Sequence, residues 1–245
     1  MDRVLKTWIA PALLGAAGLA AAPACAAKTL FFSGMTWTVR PNGQGGPRNN
    51  TWCEDNAFVD ANGDLHLRIS KLKGNKWCAA EIVSDLRFGY GTYQFQLKSR
   101  VDLLDRNVVL GLFNYPTADV GPDATNEIDI EFAKWGDAKA DMLNYTAWPV
   151  QAALGPWGNT FPLALDGSAS THRFIWQPTY IRYQSTHGHY DDNRFPIADW
   201  TFAPADYAQR IAHAAMPVHM NLWLLAAPSN RKGVEVVVSR FTYTP

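Results

Sequence analysis

Residues 126–132 read Asn-Glu-Ile-Asp-Ile-Glu-Phe, which puts Glu127, Asp129 and Glu131 at alternate positions with Ile128 and Ile130 between them. On a helix, residues two apart point in nearly opposite directions, and Asp129 would leave the group. On a strand all three acids project from one face while the isoleucines enter a core behind it, and the β-branched spacers favour the strand. At a rise of roughly 3.3 Å per residue, the Cα atoms of Glu127 and Glu131 lie about 13 Å apart. Side chains leaning together, each reaching roughly 3.5–4 Å, bring the two carboxyl groups to about 5–6 Å, which overlaps the separation used by retaining glycosidases. Two plainer readings compete: an ordinary solvated face of an antiparallel sheet, and a calcium site built from the three carboxylates. Acids are poor strand formers and repel one another on a shared face, which weighs against decoration. Calcium would want carbonyl or amide ligands beside the acids, which the local sequence does not clearly supply.

Such a triplet needs a sheet to hold it, and strand signals recur along the chain. Residues 57–70 give two alternating runs around Asn62-Gly63, a hairpin signature. Residues 90–98 alternate between apolar and polar types, and further strands are expected over 108–115, 127–132, 142–148, 173–177 with 180–184, 218–225 and 234–243. Residues 204–215 alone look helical, and one short helix is expected there. Many short strands without long amphipathic helices predict an all-β sandwich or jelly roll of antiparallel sheets, with residues 27–245 as a single domain.

A cleft facing the acids would need aromatic faces for sugar rings and amides for hydroxyls. Phe113 and Tyr115 share one strand face, as do Asn221 and Trp223, so both pairs are candidates, although a buried, satisfied pair is an equal alternative. His187 and His189 have no carboxylate chemistry around them and are read as solvated. No nucleophile elbow or phosphate loop is present, and no zinc spacing; a metal cofactor is not expected.

The chain has 245 residues, 47% hydrophobic and 18% charged, with zero formal charge and no basic stripe, which disfavours disorder and nucleic-acid binding. Arg3 and Lys6 precede an alanine-rich apolar run ending in Ala24-Cys25-Ala26, so residues 1–26 are expected to be a signal peptide and the product secreted or periplasmic. The run is short for a membrane span and is interrupted by Pro11 and Pro23. Lipidation at Cys25 is the competing reading. After cleavage only Cys53 and Cys78 remain, and an oxidising compartment predicts a disulfide between them.

The acidic run resembles the E-x-D-x-E signature of glycoside hydrolase family 16. Residues 88–98, the segment 172–183 (His-Arg-Phe-Ile-Trp-Gln-Pro-Thr-Tyr-Ile-Arg-Tyr) and the run 220–223 (Met-Asn-Leu-Trp) are similar to family segments in the same order, over most of the chain from about residue 50. The resemblance implies a β-jelly roll with a concave glycan cleft, a double-displacement mechanism, Glu127 as nucleophile, Glu131 as general acid and base, and Asp129 between them. It allows a structural calcium but requires no cofactor. The uninterrupted triplet resembles bacterial lichenases and some transglycosylases and points towards a β-1,3-1,4-glucan as polysaccharide partner, with a β-1,3-linked glucan kept open; a monomer is the default expectation. Asn144 and Tyr145 resemble a lichenase Asn-Tyr-Tyr-Thr run with one residue missing, and become further substrate-contact candidates. A transglycosylase with the same covalent intermediate and a non-catalytic carbohydrate-binding sandwich are the competing functions.

Overall fold

The structure, a computed structural model, describes residues 27–245; the expected signal peptide lies outside the described residues. Two large antiparallel sheets face each other. The first runs, edge to edge, β1 (Thr29–Phe32), β2 (Met35–Val39), β8 (Ala80–Phe88), β17 (Met216–Leu224), β10 (Val108–Asn114), β11 (Ile128–Phe132), β12 (Leu143–Ala147) and β13 (Trp157–Phe161). The second runs β16 (Pro196–Phe202), β15 (Tyr180–His187), β14 (Ser170–Gln177), β9 (Gly91–Leu97), β18 (Val234–Thr244), β6 (Leu65–Lys71) and β5 (Ala57–Val59), with β7 (Trp77–Cys78) beside β6. A separate hairpin joins β3 (Gly43–Gly45) to β4 (Asn50–Trp52). This is the jelly-roll sandwich that the strand pattern predicts.

Period-two alternation explains the layering. On β11, Ile128, Ile130 and Phe132 are fully buried, and they meet aromatic side chains of the second sheet such as Phe174, Tyr93 and Phe95 in one continuous core. Phe132 meets the His172 ring edge-on at 4.7 Å, and Tyr145 stacks on Tyr183 at 4.9 Å, so contacts between the sheets lie directly behind the acidic strand. The opposite face of the first sheet is left for the acids.

Cys53 and Cys78 are disulfide-bonded with Cα atoms 5.7 Å apart, tying the end of β4 to β7; a loop of this length typically contributes about 2–4 kcal/mol. The helix expected over 204–215 shrinks to one turn, Tyr207–Arg210. Ile211 and Ala212 are buried, and the Trp176 indole donates to the Ala212 carbonyl at 2.9 Å. Tertiary burial therefore pulls the chain out of helix just where the pattern would continue it.

Candidate active site

β11 and its neighbours present their side chains in cross-strand rows. Glu131 stands opposite Gly111 of β10 on one side and Asn144 of β12 on the other; Gly111 in turn faces Asn221 of β17, and Asn221 faces Glu81 of β8. The next row joins Asp129 to Phe113 and Phe113 to His219. Glu127 precedes the ladder by one residue, yet its backbone stays in line because the Trp148 amide donates to the Glu127 carbonyl at 2.8 Å and the Asn126 amide to the Pro149 carbonyl at 3.1 Å. Asn126 reaches that position with φ 56°, an orientation asparagine tolerates better than most residues. All three acids open into a cleft of about 640 Å³, where they are lined up with Phe113, Tyr115, Asn221 and Trp223.

The cleft raises the proton affinity of each acid. Loss of water is the main cause throughout. Glu127 is pushed up to about 7, with the charges of Asp123 and Glu81 adding to the effect and a hydrogen bond with Asp129 opposing it. Glu131 is pushed up to about 8 by burial and by the charge of Glu127. Asp129 is buried between them and held well above the ordinary carboxylate range by burial and by both glutamates, with the Trp148 indole opposing. Such a set releases its protons in linked steps. It favours states in which one glutamate is ionised while the other retains a proton.

Asn221 depends on Gly111. A β-carbon at position 111 would lie 2.6 Å from Asn221 Oδ1 and 3.2 Å from the Phe113 ring, so glycine lets an amide and an aromatic edge close over the backbone beside Glu131. Asn221 is buried, and its Oδ1 makes no hydrogen bond within the protein. Phe113 and Tyr115 meet edge to face at 6.1 Å, and the Tyr115 hydroxyl donates to Asp123 at 2.9 Å, which fixes that wall.

Asn144 and Tyr145 do not line the cleft. Tyr145 points between the sheets, fully buried, with its hydroxyl donating to Ser185 at 2.6 Å; the strand register gives it the core face, and it is not a substrate contact. Asn144 shares the face of Glu131 but is buried. Its amide donates to the carbonyls of Ala133 at 2.9 Å and Met142 at 3.1 Å, and its Oδ1 accepts from the Trp135 indole at 3.2 Å. It buttresses the turn after β11 rather than reaching into the cleft.

Several cleft residues escape the sequence reading. Trp135, 43% exposed, stands 6.3 Å from Trp223 and completes an aromatic corner. Trp148, Asp123, Arg40, Glu81 and His219 also line the cleft. Arg40 Nη1 donates to Glu81 at 2.6 Å and His219 Nδ1 lies 2.9 Å from the other Glu81 oxygen, while the Arg40 guanidinium covers the Trp52 ring at 4.1 Å. Burial opposes ionisation of Glu81, but His219 and Arg40 outweigh it and hold its carboxyl below the ordinary range. The alternation of Glu81 with Val83, and of His219 with Asn221, was the available signal. Among the described residues no group of three or more His, Cys, Asp or Glu is arranged to hold a metal ion.

No family model matches the chain. It is 30% identical over 156 residues to a β-glucanase of Paenibacillus macerans and 29% identical over 156 residues to one of Paenibacillus polymyxa; each match takes in 62% of this chain and 62% of the relative. The matched stretch thus spans less than two thirds of those curated relatives. In three dimensions the chain is similar to a β-glucanase of Bacillus licheniformis, with a TM-score of 0.65 at 21% identity, covering 85% of this chain and 92% of the other. That likeness establishes the fold.

Proposed function

We propose that the chain is a lichenase-like glycoside hydrolase of family 16, a retaining endo-glycosidase that cleaves a β-1,3-1,4- or β-1,3-linked glucan in this cleft, a reading supported by its partial identity to β-glucanases and by the shared fold. The observation that carries the proposal is the alignment of Glu127, Asp129 and Glu131 on one strand face, with proton affinities raised by burial, opposite aromatic and amide side chains suited to sugars.

Glu131 protonates the glycosidic oxygen as the bond to the anomeric carbon breaks, and ionised Glu127 attacks that carbon, forming a glycosyl ester. Glu131, now a carboxylate, takes a proton from water, whose oxygen attacks the same carbon and releases Glu127. Burial raises both glutamates, and the charge of Glu127 favours a proton on Glu131, so Glu131 holds the proton while Glu127 is charged. Asp129 shares a hydrogen bond with Glu127 and keeps the pair in opposite protonation states. Phe113, Tyr115, Trp223 and Trp135 stack on sugar faces, Asn221 bonds a hydroxyl, and Asn144 positions Trp135.

Residues 1–26 act as an export signal for a catalytic domain spanning 27–245, a reading supported by the Ala-Cys-Ala site and by the Cys53–Cys78 disulfide. The deciding experiment measures reducing ends and product sizes from barley mixed-linkage glucan, laminarin and xyloglucan, with Glu127→Gln as control. Short oligosaccharides from a glucan, absent with the variant, are expected. Longer products made only with an added sugar acceptor would identify a transglycosylase. Glycan binding without any bond cleavage by folded protein would remove the enzymatic reading.

A further inference from the structure

A second hollow lies on the far side of the β3–β4 hairpin from the cleft. It measures about 320 Å³ and is bounded by the hairpin, β7 and the residues that follow Trp223. Its walls are fixed before any ligand arrives. The Cys53–Cys78 disulfide ties β4 to β7, and buried Asn50 clamps the hairpin to the end of β17: its Nδ2 donates to the Pro47 and Leu224 carbonyls, each at 2.9 Å, and its Oδ1 accepts from the Leu224 amide at 3.1 Å. Trp77 offers a half-exposed indole, Gln44 and Asn49 offer exposed amides, and Arg48 and Lys76 bring two exposed cations.

Arg48 and Lys76 have no carboxylate partner among the described residues, which leaves both charges free for a ligand. An indole suits the apolar face of a pyranose, amides suit its hydroxyls, and two unpaired cations suit a carboxylate. We infer that this hollow is a second glycan-binding site, selective for an acidic sugar unit such as a uronate. Gly46 and Pro47 of the hairpin line the cleft while Gln44, Arg48 and Asn49 line the hollow, and Trp223 of the cleft is followed by Leu224 of the hollow. The cleft and the hollow share this partition, so the hollow would hold substituted polymers close to the catalytic acids. That last step rests on the glucanase reading; the binding site itself does not.

The test uses calorimetry on the Glu127→Gln protein with two ligands, cellotetraose and the same tetrasaccharide oxidised at C6 to glucuronate units. Arg48→Gln combined with Lys76→Gln is expected to weaken binding of the oxidised ligand about tenfold or more while leaving cellotetraose unchanged, and added salt should erode the same difference. Trp77→Ala should weaken binding of the oxidised ligand as well, and Arg182→Gln, on β15 towards the opposite edge of the second sheet, should not. Because Trp77 packs partly on the core, the exposed double variant decides the matter. Unchanged binding of the oxidised ligand in that variant overturns the site. Equal affinity for both tetrasaccharides, lost only with Trp77→Ala, overturns the acidic selectivity. Hydrolysis of glucans by the unaltered protein is scored separately, so the cleft can fail while the hollow stands.

Discussion

Glu127 and Glu131 differ in what their loss should do, because one must bond to carbon and the other must move a proton. Glu131→Ala removes the acid that an ordinary sugar leaving group needs, so glucan hydrolysis should fall by about 10²–10⁴. An aryl glycoside with an acidic phenol leaves without protonation, so its first step should survive in Glu131→Ala and be lost in Glu127→Ala. A burst of phenol from Glu131→Ala, measured by stopped flow, checks the assignment; a burst from Glu127→Ala instead would reverse the two roles. The pH profile follows from the same pair. With Glu127 pushed up to about 7 and Glu131 to about 8, the reactive state, one charged and one protonated, peaks between neutral and mildly alkaline pH. The kcat/KM of the free enzyme should therefore be bell-shaped, its limbs reporting the linked group of acids rather than single residues. A flat profile from pH 6 to 9 would contradict it.

At the scale of strands and loops, the cleft depends on residues that never touch a reacting atom. Gly111→Ala forces Asn221 Oδ1 or the Phe113 ring away from a 2.6–3.2 Å approach, so kcat/KM should drop about tenfold while the melting temperature moves little. Unchanged kinetics would show that the row absorbs the methyl. Asn144→Ala frees the Trp135 indole, and KM should rise about threefold to tenfold with kcat nearly intact. A fall in kcat at constant KM would mean that Asn144 acts on the acids instead. These elements also show where sequence reading reaches its limit. Alternation made the three acids, the Phe113–Tyr115 face and the Asn221–Trp223 face legible, because a strand converts spacing directly into direction. It could not decide between Asn144 and Tyr145, since facing depends on register against β11, and that is set by tertiary packing. Glu81, His219, Arg40 and Trp135 come from four separate segments and meet only when β2, β8 and β17 pair and the turn after β11 folds back. Edge strands such as β13 and β16 were missed for a related reason: exposed Trp157–Phe161 and the Pro196 start of β16 lack the buried alternation that marks central strands.

For the whole molecule, the sandwich carries a polar network behind its catalytic sheet, and that network should govern acid stability. His172 is fully buried between the sheets, its Nδ1 2.7 Å from Ser185 Oγ and its Nε2 2.8 Å from Ser170 Oγ, while Tyr145 donates to the same Ser185. Burial pushes the ring down to about 3, with the charge of Arg173 adding to it, so the folded protein keeps His172 neutral. An unfolded chain protonates this histidine near its ordinary value of about 6.5. Below that value the unfolded state therefore gains a proton that the folded state refuses, and stability declines as pH falls from about 6.5 towards 3. The cleft carboxyls act in the opposite sense. Their raised values make the folded state hold extra protons, so their contribution is present below the ordinary carboxylate range and is lost as pH rises towards about 8. Measured stability is the sum of the two, and only a difference between proteins isolates the histidine. His172→Phe leaves the Ser170 hydroxyl without a partner and Ser185 with Tyr145 alone, and should lower the melting temperature at pH 7.5, an orphaned buried hydroxyl costing about 1–3 kcal/mol. Yet it removes the titration, so the gap between the variant and the unaltered protein should narrow steadily from pH 6.5 to 4. Thermal melts across that interval check the prediction, and two parallel curves would mean that His172 is already protonated in the fold.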